Sequence, residues 1–158
     1  MRNFFRFAFV VTTLLAVTGC GEQEPPAAPE VLERKSFAFD GVAYELQLPV
    51  RGRVYAAADS VRISDFSTRA MQFIEFKKAQ DDPGGNRKHA LKNGHTLTYR
   101  VDHDLGGGSG GTEGELVGRM EIGGHALLVT CRDQKKGRPE PEWCFPYLGT
   151  LAIVASPR

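Results

Sequence analysis

Cysteine is scarce in this sequence, and its spacing excludes two common uses of the residue. The 158 residues hold three cysteines, Cys20, Cys131 and Cys144, and none belongs to the Cys-x-x-Cys motif of a thioredoxin-like redox site. A zinc site would need four ligands, but no histidine stands beside Cys131 or Cys144. The four histidines also lack a His-x-x-x-His pair. The sequence therefore predicts no metal centre and no cofactor.

Long apolar runs are equally rare. The one clear run, residues 7–17, has about 11 residues, fewer than the ~20 that a helix needs to cross a bilayer. It follows the basic residues Arg2 and Arg6 and precedes small residues, which is the three-part pattern of an export signal. We therefore expect residues 1–19 to be a signal peptide that is removed.

The end of this signal resembles the lipobox of bacterial lipoproteins. The matching residues are Val17-Thr18-Gly19-Cys20, with valine where leucine is commoner. The resemblance implies that Cys20 becomes the acylated first residue of the mature chain and anchors it to the membrane. In such lipoproteins an aspartate after the cysteine favours retention in the inner membrane, and here Gly21 follows instead. The expected location is thus the periplasm, with the lipid in the outer membrane.

A strong charge of one sign is also missing. The whole chain carries a formal charge of +1, which becomes −1 once Arg2 and Arg6 leave with the signal. Nucleic-acid binding needs a basic field, so no nucleic-acid partner is predicted. Residues 20–35 hold three prolines and four glutamates without apolar periodicity before Val31. They are predicted to be a tether that, if extended, spans roughly 30–45 Å.

Residues 36–158 match one small domain. Two-residue turns are predicted at Asp40-Gly41, Asn93-Gly94 and Gly123-Gly124, each between segments of strand composition. Residues 70–80 fit a strand or a short helix, and the apolar tail at 142–156 fits a buried helix or a buried strand. The predicted fold class is α+β: a mainly antiparallel sheet built from hairpins, with one or two helices.

The order of these segments resembles a known family. The run "FDGVAYELQLPVRGRVY", the meander strands after it and the apolar C-terminal segment are similar to the photosystem-II extrinsic-protein and Mog1-like group. That resemblance implies an α-β-α sandwich over most of the domain.

Cys131 and Cys144 are the two cysteines of the mature domain. Twelve residues separate them, and the intervening segment is polar and holds proline and glycine. In an oxidising periplasm such a pair in a small domain predicts a structural disulfide, which loop-closure entropy makes worth roughly 3 kcal/mol.

Residues 101–115, "VDHDLGGGSGGTEGE", combine glycine with acidic residues. Their oxygen ligands are compatible with calcium, although the spacing does not match an EF-hand. Glycine amides could also bind phosphate, but no Gly-Lys-Ser/Thr follows. The segment fits equally a plain connection between strands or a loop that presents acidic groups to a partner protein. The candidate partner-binding residues are Asp102, Asp104, Ser109, Glu113 and Glu115.

Ser109 also raises the question of catalysis. Residues 107–111 read Gly-Gly-Ser-Gly-Gly and match the Gly-x-Ser-x-Gly pattern of a nucleophile elbow. An elbow needs a buried strand before it and a helix after it, whereas these flanks are acidic and polar. No other catalytic constellation is apparent, so we predict a protein that is not an enzyme.

A small lipidated domain of this kind resembles the immunity lipoproteins that protect the periplasm against type VI secretion effectors. The shared features are Cys20, the tether, the domain size and the glycine-rich segment. The resemblance implies a membrane-anchored protein-binding module whose partner is a secreted effector. An envelope assembly factor, a small-ligand-binding lipoprotein and a cell-wall hydrolase remain alternatives. If the loop does not make the contact, the aromatic residues Trp143, Phe145 and Tyr147 are the second candidate surface.

Overall fold

Two antiparallel sheets make up most of the fold. The computed structural model describes residues 31–66, 71–104, 112–135 and 141–154. The predicted signal, Cys20 and Ser109 lie outside the described residues. The strands are β1 Leu32–Phe39, β2 Val42–Pro49, β3 Arg53–Ala56, β4 Ser60–Ser64, β5 Phe73–Lys78, β6 Arg87–Ala90, β7 Thr96–Asp104, β8 Thr112–Ile122, β9 His125–Lys135 and β10 Ala152–Ile153. A 3₁₀ helix, Pro141–Cys144, and one helical turn, α1 Phe145–Leu148, precede β10.

Two of the predicted tight turns are confirmed. Asp40 and Gly41 have φ angles of 49° and 76° and join β1 to β2. Gly123 and Gly124 have φ angles of 56° and 82° and join β8 to β9. Positive φ at both central positions matches the twist of the flanking strands, which explains why these dipeptides make the tightest hairpins.

The third turn is longer than predicted. The loop between β6 and β7 runs from Leu91 to His95, whose backbones are joined by a 2.8 Å hydrogen bond from Leu91 N–H to His95 C=O. Gly94 N–H donates to Leu91 C=O at 3.0 Å, and Gly94 has a φ of 85°. This is a type I turn followed by a left-handed glycine. The Asn93 side chain is then free to donate to the carbonyls of Leu148 and Leu151, at 3.0 and 2.9 Å.

The core lies between a three-stranded sheet, ordered β1-β2-β10, and a seven-stranded sheet, ordered β3-β4-β5-β9-β8-β7-β6. Alternate residues of the large sheet face inward, because side chains alternate along a strand. One inward row joins Ile63, Ile74, Cys131 and Leu116, all fully buried. The small sheet contributes Phe37, Phe39, Tyr44, Leu46 and Leu48 to the same core.

The next row of the large sheet defines one end of the domain. Register pairs Phe73 with Arg132, Arg132 with Glu115 and Glu115 with Asp102. At the same end β3 begins, and Val50 N–H donates to Val31 C=O where the chain enters β1. We call this the tether end. The residues that alternate with the core face of the large sheet form its outer face.

The fold is more β-rich than the predicted α+β arrangement. Residues 73–78 form a strand because β5 pairs with β4 and β9 on either side. The tail is part helix and part strand: α1 ends after one turn at Gly149, and Ala152 and Ile153 pair with β2. The described residues form no helical layer over either sheet, so the α-β-α sandwich is not shown.

The folded domain begins four residues earlier than predicted. β1 begins at Leu32, inside the segment assigned to the tether, because residues 32–35 pair with residues 46–49 of β2. In the part of the chain that the structure describes, no helix has the length and apolar character needed to span a membrane.

Candidate functional site

The β7–β8 hairpin brings the predicted acidic residues together. Asp102 is the register partner of Glu115, and Asp104 is the register partner of Glu113. The glycine-rich residues 105–111 connect these two strands, and Ser109 within them lies outside the described residues. Four acidic positions spread over fourteen residues of sequence thus occupy two adjacent cross-strand pairs at the tether end. We call these four residues and the segment 105–111 the acidic hairpin end.

Arg132 of β9 contacts two of these carboxylates. Its Nη2 and Nε donate to Glu115 Oε2 at 2.8 and 3.2 Å, and its Nη1 lies 3.6 Å from Glu113 Oε2. The hydrogen bond to Glu115 raises the pKa of Arg132, with burial acting in the opposite direction. The pair is partly exposed, so solvent screens it and its contribution to stability is small.

Asp102 is the most exposed of the three acidic side chains described at the acidic hairpin end. Its side chain is 60% exposed, and Arg100 Nε donates to its Oδ2 at 2.9 Å. Arg100 also donates to the carbonyl of Pro83. The three described carboxylates, those of Asp102, Glu113 and Glu115, are therefore paired with two described arginines, which leaves one negative charge in excess among these side chains.

The outer face continues from this cluster across the large sheet. Phe73 is the register partner of Arg132, and the guanidinium carbons of Arg62 and Arg132 lie 4.4 and 5.3 Å from the Phe73 ring centre. Arg62 also pairs with Glu75 at 3.2 Å. This strip presents one aromatic ring between two cations beside the carboxylates, which is an arrangement suited to polar protein contacts.

A groove of about 590 Å³ lies farther along the outer face. Its apolar floor includes Val117 and Leu128, and residues 80–83 form one wall. That wall is held by Arg100 and by an Asp82 side chain that accepts from Gly84 N–H at 3.0 Å. In the described ranges, no group of three or more His, Cys, Asp or Glu is placed to hold a metal.

The aromatic residues proposed as the alternative binding surface are largely engaged in packing against the core. Trp143, Phe145 and Tyr147 are partly buried and pack against the core. Trp143 and Tyr147 contact the Phe66 ring at 4.7 and 5.2 Å between ring centres, and the indole N–H of Trp143 donates to Arg132 C=O. These rings fix the C-terminal segment on the sheet, so they are poorly placed to anchor a partner.

The predicted cysteine pair is close in space but not bonded. Cys131 and Cys144 are free thiols in this structure, and both are buried. Burial, followed by a hydrogen bond with Cys144, raises the pKa of the Cys131 thiol well above its usual value. The two side chains therefore touch, and the disulfide stays a prediction supported by that proximity.

Arg132 is the site residue that the sequence analysis missed. Its position follows from the Gly123-Gly124 turn: pairing outward from Ile122 and His125 places Arg132 opposite Glu115. The sequence contained enough information to place Arg132, because a two-residue hairpin fixes the register of the strands beside it.

Comparison with known proteins identifies the family. No curated protein sequence is significantly similar to the chain. A solved structure of a protein from Bacteroides thetaiotaomicron VPI-5482 is similar at 9% identity with a TM-score of 0.47, covering 72% of this chain and 46% of that one. The chain thus spans less than half the length of that protein. The model of the type six secretion immunity 3 (Tsi3) domain matches residues 45–152, more than half of the chain. The protein therefore belongs to the type six secretion immunity 3 family.

Proposed function

We propose that this immunity protein neutralises its effector by direct contact through the acidic hairpin end. The observation that carries the proposal is the register of β7 and β8, which gathers Asp102, Asp104, Glu113 and Glu115 around the segment 105–111. Among the described side chains, Arg100 and Arg132 pair with Asp102, Glu113 and Glu115. A basic surface on the effector is the complementary partner.

The contact acts by occlusion. β8 is paired with β9 along its whole length, so the acidic residues that it carries have a fixed base. Insertion of the hairpin end into a groove of the effector excludes substrate without any chemical step. Acidic residues at the rim steer the encounter and set the association rate. The protein itself acts as a stoichiometric inhibitor and not as an enzyme.

We also propose that the protein acts from the membrane surface of the periplasm. Support comes from Val17-Thr18-Gly19-Cys20, which resembles a lipobox, and from Gly21, which favours the outer membrane. Acyl chains on Cys20 supply membrane affinity that salt does not weaken, at ~0.8 kcal/mol per buried methylene. Replacement of Cys20 with Ser should abolish labelling by a fatty-acid analogue and release the protein from membranes washed at high salt. An unlabelled variant that stays with salt-washed membranes as the wild type does would refute the anchor.

The effector contact is tested by capture followed by matched charge reversal. The partner is isolated by pull-down of the mature chain and identified by mass spectrometry. Asp102→Lys should then slow association and weaken binding. Glu121→Lys is the control, because Glu121 is exposed on the outer face of β8, six residues from Glu115. Equal losses in both proteins would show that general charge, and not this site, governs binding.

A further inference from the structure

Large apolar side chains are exposed mainly at the tether end. Val31, Val50 and Met71 are 71%, 55% and 74% exposed, and Leu32 is 43% exposed. Elsewhere in the described ranges, only Tyr55 is a comparably exposed large hydrophobic residue. Exposed apolar residues scattered singly need no explanation, whereas a contiguous group marks an interaction surface.

Val31, Leu32 and Val50 form one group around the point where the chain enters the domain. Val50 N–H donates to Val31 C=O at 3.3 Å, and Leu32 is the register partner of Pro49. Met71 lies before β5, two strands away from β3 in the large sheet, and does not belong to this group. We call Val31, Leu32 and Val50 the apolar patch.

Basic residues accompany the apolar patch. Arg51 is exposed in the turn after Val50 and forms no ion pair among the described residues. The side chains of Arg34 and Arg53 are 67% and 75% exposed, and their acidic partners lie at 3.5 and 4.0 Å. Such long, exposed pairs contribute little energy, so these guanidinium groups remain available to an external anion.

We infer that the apolar patch, Arg51 and Arg53 dock the domain onto an anionic lipid surface. The inference rests on the proposed lipid anchor: Val31 lies eleven residues after Cys20, a span of about 34 Å in polyproline form. The anchor therefore keeps the β1–β3 side of the tether end within reach of the bilayer. Apolar side chains enter the headgroup boundary and arginines pair with lipid phosphates, each adding affinity that one lipid chain lacks.

Docking in this way leaves the acidic hairpin end accessible. β3 and β8 are separated by three strands in the large sheet, which corresponds to roughly 19 Å at 4.8 Å per strand. Negative charge at β7 and β8 is repelled by anionic headgroups, while the β1–β3 side is attracted. These opposite charges orient the domain so that the β1–β3 side faces the lipid and the β7–β8 side faces a partner protein.

The test uses the mature chain from residue 20 with Cys20→Ser, which contains every core residue but cannot be acylated. Co-sedimentation is measured with vesicles of phosphatidylethanolamine containing about a quarter phosphatidylglycerol, and with phosphatidylethanolamine–phosphatidylcholine vesicles as the neutral control. We expect binding to the anionic vesicles that weakens with salt. Arg51→Glu with Arg53→Glu should reduce it at least about tenfold, and Val50→Asp should also reduce it.

The matched control is Lys88→Glu with Arg119→Glu, an equal charge change at exposed positions away from the tether end. Thermal unfolding confirms that each variant is folded. Absence of binding to anionic vesicles, or equal loss in the control, would overturn the inference. Self-association or loss of effector binding caused by the patch variants alone would assign the patch to a second copy or to the effector. Fatty-acid labelling of the wild-type chain tests the anchor separately, so failure of either proposal is recognised on its own.

Discussion

Arg132 donates two hydrogen bonds to a single oxygen of Glu115, at 2.8 and 3.2 Å, across the β8–β9 pair. The arginine therefore masks part of the acidic hairpin end in the unbound protein. Arg132→Gln should raise the association rate with the effector severalfold at low salt, because more negative charge is then available for steering. Stopped-flow kinetics at several salt concentrations measures this effect.

The stability of the Arg132→Gln variant should change by less than about 1 kcal/mol, since the lost pair is partly exposed. Arg119→Gln is the control, because Arg119 is an exposed outer-face residue of β8 away from the cluster. An unchanged association rate for Arg132→Gln would contradict the proposed role of the carboxylates.

Shortening the glycine-rich loop separates binding from folding. Replacement of residues 105–111 by a Gly-Ser turn should leave the free energy of unfolding within about 1 kcal/mol, because closure entropy varies only logarithmically with length. Affinity for the effector should fall by ~2 kcal/mol or more if the loop is the central contact. Isothermal calorimetry and thermal unfolding give the two quantities. A stable variant with full affinity would move the contact to the strip formed by Arg62, Phe73 and Arg132.

Oxidation of Cys131 and Cys144 should stabilise the domain by roughly 3 kcal/mol, relative to the reduced chain. Mass mapping without reductant should find one intramolecular bridge in periplasmic material. Comparison of melting temperatures with and without reductant measures the gain, and a Cys131→Ala, Cys144→Ala variant should show no such difference. Free thiols in native periplasmic material would disprove the disulfide.

The stability of the reduced chain at alkaline pH is an independent test of the same cysteine pair. Burial raises the pKa of Cys131 above its usual 9.0, so the folded state retains the thiol proton longer than the unfolded state does. This contribution is complete below about pH 9 and is lost as pH rises toward the raised value. The reduced chain should therefore lose stability from about pH 9 upward. The oxidised chain should lack this component, and identical pH profiles would contradict the assignment.

Tyr44→Phe should be neutral or stabilising by up to about 1 kcal/mol. The Tyr44 hydroxyl is buried and has no hydrogen-bond partner among the described residues, and burial raises its pKa. Removing an unsatisfied hydroxyl costs little, whereas the ring contact with Phe37 is retained. Tyr99→Phe is the matched control, because the Tyr99 hydroxyl interacts with Arg87 and its loss should destabilise. Chemical denaturation measures the free energy of unfolding of both variants. A Tyr44→Phe variant that loses more stability than Tyr99→Phe would contradict the prediction.

Local turn chemistry made the hairpins predictable. Asp40-Gly41 and Gly123-Gly124 need positive φ, so composition alone located both turns and the strands beside them. Asn93-Gly94 also marked a turn, but its exact form depends on Asn93 contacting the distant residues Leu148 and Leu151. Contacts so remote in sequence leave no local signal.

Pairings between strands that are distant in sequence could not be predicted for the same reason. Residues 73–78 have an ambiguous pattern that is resolved by their pairing with β9, more than fifty residues later. The tail pairs with β2, over one hundred residues earlier, and this determines that β10 is a strand. The acidic residues were found by composition, but their mutual register was not, because a long glycine-rich loop does not fix register as a two-residue turn does.

The chain enters the domain at the same end that carries Asp102 and Glu115. Under the proposed anchoring, the inhibitor and its contact surface are confined to a thin layer beside the bilayer, whose depth is set by about eleven residues of tether. Local concentration in that layer exceeds the average over the compartment, so a modest number of molecules can intercept effectors there. A longer tether would widen the layer that the inhibitor can reach and would lower the inhibitor concentration within that layer.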